Sequence, residues 1–285
     1  MNMRIETPPG DAKNFEFSDH HFSKIANLAH REFGLHLPEN KKSLVYSRLA
    51  RRLRSLKLSG FEEYCGLLEN DVDCAESRNL LSALTTNVTH FFREGHHFEI
   101  LQADVYPKLV GKAKQGEKIR IWSAGCSAGH EPFSIALSLL SSFPDATNFD
   151  VKILATDIDP AILSKARMGK YSSDDVDSIP SEIRQRFLSE TSDGFEIGSE
   201  AKALVSFGEL NLIHSWPVKG PFEIIMCRNV AIYFDKQTQA KLWARFAELL
   251  SPTGVLMIGH SERLSANVTE QFSSLGVTAY RKKPT

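Results

Sequence analysis

A loop with two glycines connects a short apolar segment to a run of apolar residues at helical spacing. Residues 119–123 are predicted to form a strand and residues 131–143 the helix that follows it. Between them, Gly125 and Gly129 allow a ligand to approach the backbone closely and to meet the N–H groups at the start of the helix. The spacing is not the G-x-G-x-x-G of dinucleotide sites. The loop alone therefore leaves two interpretations open, a nucleotide-like ligand site or a tight turn in an α/β sheet.

Residues that could bind such a ligand also follow three later predicted strands. In chain order, these strands and their terminal residues are 151–155 with Asp157, 204–212 with Asn211 and Leu212, and 222–227 with Arg228 and Asn229. A carboxylate at the second strand suits a ribose, since it can accept hydrogen bonds from both hydroxyl groups. Ligands of open α/β sheets bind outside the carboxyl ends of the strands. The strand ends together predict one site, although a helix cap at Asp157 and a salt bridge or turn at Arg228 are alternatives.

The elements that position these residues predict a mostly parallel sheet. Strands and helices alternate from residue 119 to residue 168, as in sheets with right-handed crossovers. A helix at 236–250 and strands at 255–259 and 277–281 complete the pattern. Residues 169–202 interrupt it and predict an inserted subdomain.

Two features are expected within that interruption. Residues 180–187 predict a short helix, and the segments 195–197 and 203–205 predict a hairpin, because glycines lie between apolar residues.

The N-terminal part predicts a small all-helical unit. After a frayed lead-in at 1–17, apolar residues recur at helical spacing in 18–33, 41–57, 61–68 and 75–84. We therefore expect a helical domain at 18–84 and a second domain at 85–285.

The second of these helices, at 41–57, is strongly basic. It carries seven lysine and arginine residues and no acidic residue. Like charges three or four residues apart repel by roughly 0.2–0.5 kcal/mol per pair. Two interpretations are open, a solvated polar face or a face that binds a polyanionic partner, either acidic helices or phosphates.

Composition narrows the class of protein. The 285 residues are 42% hydrophobic and 24% charged, which is typical of a globular chain of one or two domains. A net charge of −1 argues against a nucleic-acid binder that uses its whole surface. No apolar run reaches the ~18 residues of a membrane span, and the first residues have no secretory apolar core. The four cysteines have no metal-binding spacing, so a cytoplasmic protein with reduced thiols is expected.

Four segments carry a resemblance to a known family. Residues 84–98, 121–136, 153–171 and 216–235 resemble signature segments of the CheR-type methyltransferases, which modify glutamates of bacterial chemoreceptors. The resemblance spans about 18–282. It implies an α/β, Rossmann-like class I S-adenosylmethionine-dependent methyltransferase domain with a mostly parallel sheet. It also implies an all-helical N-terminal domain and a small antiparallel β-subdomain inserted at 169–206.

The resemblance also implies a set of site residues. The positions that match cofactor contacts of the family are Asn87, Thr89, Arg93, Glu131, Asp157, Asn211, Leu212, Arg228 and Asn229. Arg93 and Tyr233 match positions near the reacting methyl group, where they are expected to be catalytic. This chain departs from many relatives at His130, where they have a glutamate, so the contact is assigned to Glu131 and the role of His130 is open.

The implied reaction forms glutamate methyl esters and S-adenosyl-L-homocysteine. A glutamate with a pKa of about 4.3 is already ionised at neutral pH, so no general base is required. No metal is expected, because no aspartate or cysteine ligand stands at metal spacing beside His96 and His97. Positioning should provide most of the rate acceleration.

The implied partner is the cytoplasmic domain of a methyl-accepting chemoreceptor, whose methylation helices are acidic. Arg48, Arg51, Arg52 and Arg54 are expected to steer that helix toward the site. The resemblance leaves open whether the β-subdomain binds a receptor's C-terminal peptide by strand addition, and whether a signalling regulator protein also binds. Nucleic acid and direct membrane insertion are not expected. The alternatives are an RNA or small-molecule methyltransferase on the same fold, or a non-catalytic cofactor-binding adaptor.

Overall fold

The computed structural model describes residues 14–72, 74–86 and 88–284. The chain divides into two compact units, with the boundary near residue 85 and Phe33–Leu35 assigned to the second unit. Asn87 lies outside the described residues, as do residues 1–13 of the expected lead-in. Within the described residues, no helix combines the length and apolar composition that crossing a membrane requires.

The first unit consists of helices with one apolar stripe each. They are α1 Asp19–Phe33, α2 Lys42–Leu56, α3 Phe61–Glu69 and α4 Ala75–Leu84. In α2 the buried residues Val45, Leu49 and Leu53 recur every four positions and place one face in the core. The helix ends at Lys57, whose backbone is left-handed with φ 59°.

The second unit contains a seven-stranded sheet in the order β6-β2-β1-β7-β8-β10-β9. The strands are β1 Ile119–Ala124, β2 Val151–Asp157, β6 Val205–Glu209, β7 Phe222–Cys227, β8 Leu250–Ile258, β9 Phe272–Gly276 and β10 Ala279–Lys282. The first five of these pair in parallel, and β10 pairs antiparallel with both β8 and β9. The mostly parallel α/β sheet expected from the sequence is therefore confirmed.

Both faces of this sheet are covered. Along β7, Ile224 and Met226 join one apolar cluster, while Phe222, Ile225 and Cys227 join another. A strand buried on both faces has no polar face, which explains why five of the six residues of β7 are apolar. The helices of the unit are α5 His96–Ile100, α6 Tyr106–Lys114, α7 His130–Ser142, α8 Pro160–Met168, α9 Ser173–Val176, α10 Ser181–Phe187, α11 Ser199–Leu204, α12 Lys236–Leu249 and α13 Ala266–Thr269.

A small antiparallel sheet lies between β2 and β6 in the chain. Its strands, β3 Lys170–Tyr171, β4 Leu188–Thr191 and β5 Gly194–Ile197, pair in the order β3-β5-β4. This is the small antiparallel sheet that the fold class requires. A β-carbon at Gly194 would lie 2.2 Å from the carbonyl oxygen of Tyr171, so only glycine allows β5 to approach β3 this closely.

The predicted hairpin between 195–197 and 203–205 is wrong. The partner of β5 across the turn is β4, and Ala203 and Leu204 end helix α11. The error has a physical reason: β4 reads Leu-Ser-Glu-Thr and lacks apolar alternation, because Ser189 and Glu190 face solvent. Gly198 begins a helix rather than a turn, and Ala201 and Leu204 bury one side of that helix.

Candidate active site

The loop between β1 and α7 has the left-handed backbone that its glycines allow. The φ angles of Gly125 and Gly129 are 85° and 90°. A β-carbon at Gly125 would lie 2.3 Å from Cγ2 of Val230, so glycine is required there. The backbone N–H groups of Gly125 and Cys126 both donate to the carbonyl oxygen of Thr156, which fixes the loop to the end of β2.

Asp157 binds this loop with its side chain. Its Oδ2 accepts a 2.8 Å hydrogen bond from the N–H of Ser127, and its Oδ1 accepts one of 3.1 Å from Asp159. Burial raises the pKa of the Asp157 carboxyl, and these backbone donors oppose the shift. The residue that caps helix α8 is Asp159, whose Oδ1 accepts hydrogen bonds from the N–H groups of Ala161 and Ile162. Asp157 does not cap this helix, so its carboxylate at the strand end is available for a ligand.

Asn211 and Leu212 follow β6, which ends at Glu209, earlier than the predicted strand. The backbone carbonyl of Asp157 accepts a 2.9 Å hydrogen bond from the N–H of Leu210, so this turn adjoins the Asp157 strand end. Oδ1 of Asn211 accepts from the N–H of Ile213. Leu212 is buried and, with Phe234, lines a groove beside α12.

Glu131 and Arg228 form a buried ion pair. Nε of Arg228 donates to Oε2 of Glu131 over 2.7 Å, and Oγ of Ser123 donates to Oε1 over 2.7 Å. The exposed fractions of the Arg228 and Glu131 side chains are only 3% and 9%. Arg228 also donates to the backbone carbonyl of Arg93. Each carboxylate oxygen of Glu131 keeps a second lone pair, so Glu131 can still accept a hydrogen bond from a ligand.

Several buried polar atoms in this region have no hydrogen-bond partner among the described residues. They include Oδ1 of Asn229 and Oγ of Ser127. Buried polar groups in native proteins are nearly always hydrogen-bonded, so such atoms suit a ligand with donor groups. Asn229 has a left-handed backbone, with φ 59°, directly after the strand end.

Tyr233 and Arg93 both bind the segment that follows the first unit. The hydroxyl of Tyr233 accepts from the N–H of Thr86 at 3.0 Å and donates to its carbonyl at 3.2 Å. Nη1 of Arg93 donates to the carbonyl of Val88 over 3.0 Å. Thr89, in the same segment, is half-buried. Tyr233 thus binds the start of this segment, at Thr86, and Arg93 binds its own segment five residues earlier, at Val88.

Hydrogen bonds join three of the expected site residues directly, because Arg228 binds both Glu131 and the backbone carbonyl of Arg93. Two others bind residues outside the expected set: Asp157 binds Ser127 of the glycine loop, and Tyr233 binds Thr86. The four strand ends are adjacent because β6, β2, β1 and β7 are neighbours in the sheet.

The four arginines of α2 belong to the first unit and divide into two pairs. Arg48 donates to the carbonyls of Leu84 and Thr85 at the end of α4. Arg52 binds both carboxylate oxygens of Glu76, and this hydrogen bonding raises the pKa of Arg52. Arg51 and Arg54 are exposed. Part of the positive charge of α2 is thus compensated by an acid on another helix.

Glu94, His96 and His97 lie together, with ligand atoms within 4.8 Å of one another. Glu94 was not expected in this group, because the ligand types considered beside the two histidines were aspartate and cysteine. Each residue of the group has a protein partner: Oε1 of Glu94 lies 3.0 Å from Nδ1 of His260, Nε2 of His96 lies 3.1 Å from the carbonyl of Val277, and Nε2 of His97 lies 3.1 Å from Oγ1 of Thr278.

His130, whose role was open, is buried at the start of α7. Its ring lies between those of Phe91 and Tyr171, with 4.8 Å between ring centroids in both cases. Burial lowers the pKa of His130, and Asp175 opposes the shift. The contacts describe a neutral imidazole packed among aromatic rings.

One residue of this region was missed entirely. Glu262 is buried, and its carboxylate accepts four backbone hydrogen bonds, three of them from residues directly after β7. No spacing in the sequence points to it, because three of its four partners lie about thirty residues earlier in the chain. The only sign of its role in the sequence is its position, as a charged residue shortly after the buried strand β8 and among small polar residues.

Comparison with known proteins identifies the family. Residues 87–281 match the family model described as "CheR methyltransferase, SAM binding domain", and residues 20–85 match "CheR methyltransferase, all-alpha domain". The chain is 48% identical over 258 residues to a "Probable chemotaxis protein methyltransferase" of Rhizobium etli, covering 89% of this chain and 96% of the relative.

It is also 40% identical over 268 residues to the "Chemotaxis protein methyltransferase" of Salmonella typhimurium, covering 92% of this chain and 90% of the relative. The protein of the same name from Escherichia coli is 40% identical over 268 residues, covering 92% of this chain and 91% of the relative. The chain therefore belongs to the CheR methyltransferase family, and its cofactor is S-adenosyl-L-methionine.

Proposed function

We propose that this protein transfers the methyl group of S-adenosylmethionine to glutamate side chains on the cytoplasmic helices of chemoreceptors. The observation that carries the proposal is the position of Arg93 and Tyr233. Both bind the segment 86–93, and the backbone carbonyl of Arg93 is bound by the buried Arg228. The names of the relatives refer to methyl transfer in chemotaxis and support the same activity here. A cytoplasmic location follows from the proposed substrate and is part of the proposal.

The residues present fit the cofactor. The Asp157 carboxylate would accept hydrogen bonds from the ribose, and Leu212 would contact the adenine, with Asn211 beside it. The unpartnered Oδ1 of Asn229 and the remaining lone pairs of Glu131 suit the ammonium group of the methionine moiety. We assign Asn87, Thr89, Arg93 and Arg228 to the same site.

The chemistry needs a methyl donor and an ionised acceptor. S-Adenosylmethionine supplies a methyl group on a sulfonium: a carboxylate oxygen forms the new C–O bond, and the electron pair of the broken C–S bond stays on sulfur. The products are a neutral methyl ester and the thioether S-adenosylhomocysteine. Because opposite charges disappear in the reaction, a site shielded from water favours it.

The role of the protein's own residues is to position the cofactor and the acceptor carboxylate. Arg93 and Tyr233 would direct the attacking oxygen, or the carboxylate of the cofactor, by hydrogen bonds. No side chain has to remove a proton, since the acceptor glutamate is ionised at neutral pH. The buried His97 would in any case be a weak base, because burial and the charge of Arg228 lower its pKa to about 4.

We propose that Arg51 and Arg54 bind the acidic receptor helix. Both are exposed, whereas Arg48 and Arg52 have partners on α4. The contribution of Arg48 and Arg52 to receptor binding would therefore be smaller than the sequence suggests. Attraction between these charges and acidic residues raises the association rate and weakens with salt.

Strand β4 offers a place for a second receptor contact. It is an edge of the small sheet, since β5 lies on one side of it only. An extended C-terminal peptide of a receptor could add a strand there. A signalling regulator protein as a further partner also stays a proposal.

The function is tested by the class of molecule that accepts a labelled methyl group. The protein is incubated with methyl-labelled S-adenosylmethionine and either a receptor cytoplasmic fragment or total RNA. We expect label on the receptor fragment alone, released as volatile methanol in mild alkali, because carboxyl esters hydrolyse there. A fragment whose candidate glutamates are alanine is the matched control. Label on RNA, or none on any acceptor, would overturn the proposal and favour an RNA methyltransferase or an adaptor.

A further inference from the structure

A buried carboxylate holds the backbone that follows β7. Oε2 of Glu262 accepts hydrogen bonds from the N–H groups of Gly259, at 2.6 Å, and Asn229, at 3.1 Å. Oε1 accepts from Val230, at 3.1 Å, and Ile232, at 3.2 Å. The exposed fraction of Glu262 is only 4%. Three of these four donors therefore come from the turn between Arg228 and Tyr233.

The backbone of this turn forms a concavity for an anion. Asn229 is left-handed, with φ 59°, and Val230 is right-handed, with φ −112° and ψ −48°. Successive residues of this kind point their N–H groups to one side, as in anion-binding nests. Here the anion is a side chain of the same protein. The carboxylate offsets the cost of holding a non-glycine residue in the left-handed region.

Gly259 completes the arrangement from the end of β8. A β-carbon there would lie 2.8 Å from the backbone nitrogen of Asn229, 2.9 Å from its Nδ2 and 2.9 Å from Oε2 of Glu262. β-Carbons in proteins essentially never approach another heavy atom this closely, so any larger residue at position 259 would displace the turn. Gly259 and Glu262 thus restrain the same backbone by independent means, one steric and one through hydrogen bonds.

We propose that Glu262 is a positioning residue for the cofactor. The Glu262 carboxylate binds backbone N–H groups and no side chain of an expected cofactor contact. It thereby fixes the backbone that carries Arg228, Asn229 and Tyr233. The unpartnered Oδ1 of Asn229 takes its place in the site only if the left-handed turn is kept. This inference rests on the proposed site at Asn229.

The test replaces the carboxylate by an amide of the same shape. Glu262→Gln places an NH₂ group against two backbone N–H groups, so at least two hydrogen bonds are lost. We expect its dissociation constant for S-adenosylhomocysteine, measured by titration calorimetry, to rise about tenfold or more. Wild-type binding is measured first, because its absence would contradict the cofactor site itself and not only the role of Glu262.

Glu223→Gln is the matched control. Glu223 is also buried, with an exposed fraction of 8%, and its carboxylate accepts hydrogen bonds from Lys112 and Ser251. It lies at the start of β7, whereas Glu262 restrains the turn beyond the end of the same strand. This control loses a buried charge and should lose stability, but its affinity for S-adenosylhomocysteine should stay within about twofold of the wild-type value.

A second variant keeps the inference testable if Glu262→Gln does not fold. Gly259→Ala leaves the carboxylate intact and displaces the same turn, so the same weakening is expected. The inference is overturned if a folded Glu262→Gln or Gly259→Ala protein binds S-adenosylhomocysteine within about twofold of wild type. It is also overturned if the Glu223→Gln control loses as much affinity, since a general loss of rigidity would then explain both.

Discussion

Nε of Arg228 donates a 2.7 Å hydrogen bond to Oε2 of Glu131, joining the end of β7 to the first turn of α7. Ser123, at the end of β1, donates to the other oxygen of the same carboxylate. The glycine loop and the Arg228 turn are therefore held by one buried ion pair. Movement of either side would displace the carbonyl of Arg93, which Arg228 also binds.

Glu131→Gln tests this coupling. The amide keeps the shape but leaves the buried Arg228 without its anion, so we expect the free energy of unfolding to fall by about 1–3 kcal/mol. Affinity for S-adenosylhomocysteine should fall as well. Urea unfolding and calorimetry measure the two effects. A variant with unchanged stability and affinity would show that the ion pair does not organise the site.

Arg93→Ala should separate catalysis from stability. The side chain is half-buried and its described hydrogen bond, to the carbonyl of Val88, is worth about 1 kcal/mol. We expect turnover to fall about a hundredfold or more, as for the loss of one directed donor in an active site. Arg93→Lys keeps the charge without the planar fork and serves as the comparison. Near wild-type turnover of a stably folded Arg93→Ala protein would remove the assigned role.

The arginines of α2 should divide into two functional pairs. Replacing the exposed Arg51 and Arg54 by alanine should change stability by less than about 0.5 kcal/mol and weaken receptor binding, most clearly at low salt. Arg52→Ala should instead lose about 1–3 kcal/mol of stability, because it leaves the buried Glu76 without its partner. Thermal unfolding and receptor binding at several salt concentrations distinguish the pairs. A flat salt response of the wild type would contradict the proposed attraction.

His97 should make folding stability depend on pH. Burial and the charge of Arg228 lower the pKa of His97 from 6.5 to about 4. Between these values the unfolded chain binds a proton that the folded chain excludes, so the free energy of unfolding rises with pH. Above pH 6.5 His97 is neutral in both states, and this part of the stability is complete. As the pH falls from 6.5 toward about 4, the free energy of unfolding decreases by about 3 kcal/mol.

Unfolding in urea across this pH range measures the effect. His97→Gln should reduce the slope of stability against pH, whereas the exposed His214→Gln should leave the slope as in the wild type. The buried His130, whose pKa is also lowered, accounts for part of the slope that stays. An equal slope in the wild type and in His97→Gln would mean that His97 does not titrate as described.

The large sheet could be predicted from the sequence because its central strands are buried on both faces. Strand β7 reads Phe-Glu-Ile-Ile-Met-Cys, and such a run has few other stable environments. The polar residues at the strand ends followed from the same topology, since parallel strands bring their carboxyl ends to one edge. Strands β4 and β9 were not predicted because they are edge strands whose middle residues are polar and exposed, Ser189 and Glu190 in β4 and Ser273 and Ser274 in β9.

Long-range polar partners could not be predicted. Arg52 looked available because α2 has no acid, but its partner Glu76 is on α4. Nothing in the sequence singled out Glu262, and only the path of the backbone shows that four N–H groups surround its carboxylate. Such contacts depend on where two distant segments meet, which residue type and spacing do not encode.

The central claim is that the methyl acceptor is a glutamate carboxylate of a chemoreceptor. Tandem mass spectrometry of a receptor cytoplasmic fragment, after reaction with the protein and S-adenosylmethionine, tests it most directly. We predict the mass of one added methyl group on glutamate side chains, reversed by mild alkali and absent when S-adenosylhomocysteine is used instead. Methylation of lysine, arginine or histidine, or an unmodified fragment, would contradict the account.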